Sequence, residues 1–72
     1  MKFETKVLEV VEDVVGSCDA YFCNGTLVVK CTDEDANMIL EEFNLIELSM
    51  FANCDKIVVS EIGLDEYTFD FV

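Results

Sequence analysis

The chain has 72 residues, 53% of them hydrophobic, and sets 16 Asp and Glu against four lysines with neither Arg nor His, for a net charge of -12. That length holds one acidic α+β domain, 1–72, with no room for a second, and that charge is repelled by nucleic-acid phosphates and anionic membranes. The apolar content excludes disorder, and a domain this small hides only about 60% of the surface its unfolded chain exposes, so part of the apolar surplus is expected at the surface as an interface.

Residues 3–15 place Phe3, Val7, Val10, Val11 and Val14 at helical spacing, with Glu4, Glu9, Glu12 and Asp13 off that stripe. Gly16 is the expected C-terminal cap. Valine favours strands, which leaves a strand over 2–8 as the alternative. In residues 18–31, Asn24-Gly25 predicts a type I′ hairpin. A two-residue loop there sets Cys23 opposite Thr26, Phe22 opposite Leu27, Tyr21 opposite Val28, Ala20 opposite Val29, Asp19 opposite Lys30 and Cys18 opposite Cys31. One face is then wholly apolar: Cys18, Ala20, Phe22, Leu27, Val29 and Cys31. The other is mixed, and a slip of one residue would scramble the separation. Cys18 and Cys31 form a close pair able to bridge on oxidation; in a reducing cell they are two small core residues.

Thr32 is the expected N-cap of a second helix, and Asp33, Glu34 and Asp35 suit the positive end of its dipole. Its buried stripe is expected to hold Ala36, Ile39, Leu40, Phe43, Ile46 and Met50. Glu47 falls within that stripe, so the helix bends or stops near it. Met38, Leu45 and Leu48 lie on the opposite side among Glu41, Glu42 and Ser49. A helix with apolar residues on both sides is sandwiched or presents one side to a partner. Residues 55–62 read as a strand and Gly63-Leu64-Asp65 as a turn. Tyr67-Thr68-Phe69-Asp70-Phe71 alternates with its aromatics inward, and Val72 is expected to be tied into the sheet.

The order is α-β-β-α-β-β in two similar halves, with Cys18-Asp19 and Cys54-Asp55 opening the strands of each. Two helices on one face of a four-stranded, mostly antiparallel sheet satisfy this α+β pattern. The order is that of a ferredoxin-like fold whose first strand has moved to the end. Strands 26–31 and 66–72 are then central, and the uncovered sheet face shows Tyr21, Val28, Lys30, Thr68 and Asp70.

The N-terminus shows no secretory signal and no apolar run reaches membrane length, so the chain is expected in the cytoplasm with reduced cysteines. Cys18, Cys23, Cys31 and Cys54 fit no zinc spacing, and histidine is lacking to complete one. No catalytic residue is assigned: the usual base and the phosphate-clamping arginine are missing, no phosphate loop or EF-hand pattern occurs, and adjacent acids such as Glu41-Glu42 and Asp65-Glu66 read as solvated. Helix capping explains Asp33, Glu34 and Asp35 better than a cation site does. No cofactor or metal is expected, and no direct nucleic-acid or membrane contact.

What remains is binding. Glu4, Glu9, Glu12, Asp13, Asp33, Glu34, Asp35, Glu41 and Glu42 space carboxylates along both helices in imitation of a phosphate row. In size, charge and lack of catalytic groups, though in no motif, the chain resembles DNA-mimic inhibitors, often encoded by phages. The resemblance implies a non-enzymatic inhibitor or adaptor that docks on a basic, nucleic-acid-binding protein. The alternative is a self-associating structural or regulatory subunit, a homodimer through Met38, Leu45 and Leu48. An acidic domain adapted to a high-salt cytoplasm is a third reading, against which the Phe and Ile content argues.

Overall fold

A computed structural model describes residues 3–16 and 19–72 of the protein. Helix α1 spans Phe3–Val15 and buries Val7, Val10 and Val11. Each valine loses roughly 0.5 kcal/mol of helix propensity relative to alanine, but burying its side chain gains roughly 1.5–3 kcal/mol. Burial therefore outweighs the propensity loss, and Phe3–Val15 form a helix rather than the alternative strand. Gly16 ends the helix in the left-handed region at φ 73°, and its N–H donates to the Glu12 carbonyl at 2.7 Å. Only glycine takes that conformation without a Cβ penalty.

Strands β1 (Asp19–Cys23) and β2 (Thr26–Lys30) form the hairpin in the expected register, from Cys23 opposite Thr26 to Asp19 opposite Lys30. Asn24 and Gly25 both have positive φ, as a type I′ turn requires. The expected pairing of Cys18 with Cys31 falls on a residue outside those described; Cys31 itself is buried.

Helix α2 (Asp33–Leu45) opens where Thr32 Oγ1 accepts from the Asp35 N–H at 3.2 Å. It ends one residue before Ile46, and Glu47 follows in the left-handed region at φ 54°. A four-residue helix, α3 (Leu48–Phe51), then starts in a new direction. This break corrects three placements. Ile46 and Met50, expected on the buried stripe, are exposed, whereas Leu48, expected at the surface as an oligomer contact, is 1% exposed in the core. One left-handed residue resets the helical phase, so periodicity carried across Glu47 points each later side chain the wrong way.

Strand β3 (Ile57–Gly63) starts two residues after Asp55, so Cys54-Asp55 precedes the strand rather than opening it. A bulge lies between Glu61 and Gly63, and the turn narrows to Leu64-Asp65 before β4 (Glu66–Phe71). Val72 is tied in as expected: its carbonyl accepts from Asp55 and Lys56, and its N–H donates to Lys56.

The sheet is antiparallel throughout, in the order β1-β2-β4-β3, with β2 and β4 central. This matches a ferredoxin-like sheet with its first strand moved to the end. The helices cover one face, and the core gathers Val7, Val11, Leu27, Val29, Ile39, Phe43, Leu48 and Phe69. On the other face, Val28 is a further correction. It is 7% exposed, because on a central strand it sits between Tyr21 on β1 and Thr68 on β4. Beside it Thr26 Oγ1 donates to Asp70 Oδ1 at 2.6 Å. No helix among the described residues is long and apolar enough to cross a membrane.

Candidate protein-docking surface

The two long helices form the outer layer. Between them they carry all nine candidate acids against one lysine, Lys6. Seven of these carboxylates are exposed, and Asp35 and Glu42 are half-buried. The core forces this outcome: with Val7, Val10, Val11, Ala36, Ile39 and Phe43 turned inward, the intervening acids face water.

The acids do not share one face. Asp13, Glu41 and Glu42 line a groove of about 390 Å³ between α1 and α2, in company with Val14, Met38 and Leu45. Glu9, one turn before Asp13, and Glu34, one turn before Met38, continue the same flanks. Glu12 is exposed next to Asp13. Glu4 precedes Asp13 by nine residues, which at about 100° per residue puts it on the far side of α1. Asp35 lines a separate depression of about 590 Å³ with Lys30, Thr32, Leu64, Asp65 and Glu66, where the lysine makes the charge mixed.

Asp33 turns toward the sheet and accepts from the Tyr67 hydroxyl at 3.2 Å. Burial of the tyrosine, then that hydrogen bond and the charges of Asp33, Glu61 and Asp65, push its pKa up from 10.0 to about 12. Asp33 is thus a structural acceptor as well as a first-turn acid. Of the apolar surface candidates, Met38 is 44% and Leu45 71% exposed, and both line the α1–α2 groove.

Sequence reasoning missed a cluster of aromatic rings. Phe3 contacts Phe22, Phe51 and Phe71 at ring-centroid distances of 6.1, 6.3 and 5.0 Å. Phe71 continues to Phe43, which meets Phe69 in an edge-to-face pair at 5.6 Å. All six phenylalanines are linked in this way. The six come from five elements, α1, β1, α2, α3 and β4, and no local periodicity relates residues so far apart; the packing of the three helices on the sheet brings them together. The outermost ring, Phe51, is exposed.

The chain matches no protein-family model, and no curated protein or solved structure is significantly similar to it. Among the described residues, no three or more His, Cys, Asp or Glu side chains gather into a group able to hold a metal ion. What the α1–α2 surface offers is a groove lined by three carboxylates, Asp13, Glu41 and Glu42, interleaved with Val14, Met38 and Leu45. Such a lining combines negative potential with exposed apolar area.

Proposed function

We propose that this chain is a small, non-enzymatic protein-binding module of the cytoplasm that docks its α1–α2 face on a basic protein surface. The partner class is a nucleic-acid-binding protein, inhibited or tethered by an imitation of its polyanionic ligand. The observation that carries this reading is the groove lined jointly by Asp13, Glu41 and Glu42 and by Val14, Met38 and Leu45. At about 0.1 M salt the screening length is about 10 Å, so neighbouring carboxylates on the two helices act jointly on an approaching cation and speed its encounter. The exposed apolar residues supply contact that salt does not screen.

The test is capture from the source organism's lysate at low salt, followed by elution in salt steps and separately by duplex DNA. A basic nucleic-acid-binding protein released by moderate salt, and displaced by DNA, supports the reading. Recovery of only neutral or acidic proteins overturns it.

A second reading, self-association, is favoured by the exposure of Leu45 and Met38 on one helix flank. A dimer brings two charges of -12 together, so added salt would tighten it. In that case Leu45→Lys yields monomers in sedimentation; an oligomer that persists removes this patch from consideration.

A further inference from the structure

On α2 the groove is lined by Met38, Glu41, Glu42 and Leu45. These positions are i, i+3, i+4 and i+7, a single stripe over two turns and about 10 Å long. Its order is apolar, acid, acid, apolar, and it reads the same in both directions. Across the groove, Asp13 and Val14 repeat the pairing of a carboxylate with an apolar side chain.

Resting on the docking reading above, we infer that the occupant of this groove is a basic amphipathic helix of the partner. Its contact face carries the complementary order: apolar, two unspecified, two Lys or Arg, two unspecified, apolar. Charge complementarity selects it, because α2 contains no basic residue and the only lysine of α1, Lys6, is half-buried two turns before Asp13. Shape selects it too. Two packed helices, with axes about 8–10 Å apart, leave an elongated groove between them along which the side-chain ridge of a third helix can lie. A lone lysine would use the carboxylates and leave Met38 and Leu45 in water, and an apolar helix would leave Glu41 and Glu42 desolvated without partners. A helix with both residue types at this spacing satisfies all four positions at once. The palindromic stripe accepts it in either polarity.

The probe is a stapled helical peptide of about 14 residues, four turns, bearing that pattern. The comparison peptide has the same composition and staple, with the apolar residues moved to the opposite face. Anisotropy at about 0.15 M salt should show the matched peptide binding at least about tenfold tighter. Leu45→Lys, and separately the pair Glu41→Lys with Glu42→Lys, should each weaken it by about tenfold or more, with circular dichroism confirming that the substitutions, including that at half-buried Glu42, leave the fold intact. Glu4→Lys, on the far side of α1, should leave the affinity nearly unchanged.

Equal binding of the two peptides, or equal losses from Glu4→Lys and Glu41→Lys/Glu42→Lys, overturns the inference. If the matched peptide fails while a basic lysate protein is still captured through Glu41 and Glu42, the helical occupant is wrong and the docking reading survives. If neither peptide nor basic protein binds, both fall. A dimer of the chain alone that Leu45→Lys dissolves makes a second copy the occupant and also overturns the inference.

Discussion

Tyr67 and Asp33 join the sheet to the start of α2 through one hydrogen bond of 3.2 Å. The Tyr67 pKa is raised from 10.0 to about 12 in the folded protein, so the fold favours the protonated phenol. The stability this supplies is fully present below pH 10 and is lost as the pH rises through 12. The wild type should therefore lose more stability between those values than Tyr67→Phe does, as read from urea midpoints on both sides of the window. Parallel declines would remove the coupling. Glu47 poses the opposite case. It holds φ 54° with a side chain that makes no capping hydrogen bond, a conformation that costs an L-residue about 1–2 kcal/mol. Glu47→Gly relieves this and gives back part in unfolded-state entropy, so a net gain of roughly 0.5–1 kcal/mol is expected in chemical denaturation. A loss would show that the Glu47 side chain supports the corner in another way.

At the scale of elements, the break between α2 and α3 decides which leucine matters. Leu48→Ala empties a fully buried site and should cost about 2–5 kcal/mol. Leu45→Ala, on an exposed flank, should stay within about 0.5 kcal/mol. Equal losses in thermal or urea unfolding would contradict the corner. The hairpin, by contrast, was legible in every pair among the described residues. Asn24-Gly25 names its own turn type, and the turn fixes every pair outward to Asp19 and Lys30. α1 was legible because its stripe is continuous and Gly16 ends it. The α2–α3 corner was not, because a left-handed glutamate carries no compositional mark: Glu47 signalled a stop but not the change of direction that buries Leu48. Val28 was misread for a related reason. Alternation assigns a face, while neighbours on both sides of a central strand decide exposure.

For the whole molecule, charge and topology were legible and the site only in part. The strand order β1-β2-β4-β3 is the one expected of a ferredoxin-like layout with its first strand moved to the end, and most acids off the apolar stripes are exposed. Which acids meet depends on how α1 packs beside α2, and that gathers Asp13, Glu41 and Glu42, turns Asp33 to Tyr67, and leaves Glu4 apart. The net charge of -12 also opposes compaction. Raising NaCl from about 0.01 to 0.5 M shortens the screening length severalfold and should raise Tm at every protein concentration; a flat or falling Tm would show that self-repulsion is negligible in this fold.

The central claim is that the acidic α1–α2 surface recognises a basic protein. Its most direct test is paired capture from one lysate with the wild type and with a variant carrying Glu9→Gln, Glu12→Gln and Asp13→Asn, all exposed positions. The account predicts a basic nucleic-acid-binding protein enriched by the wild type and lost, or released at much lower salt, with the variant. Identical recovery and identical salt elution from both would contradict it.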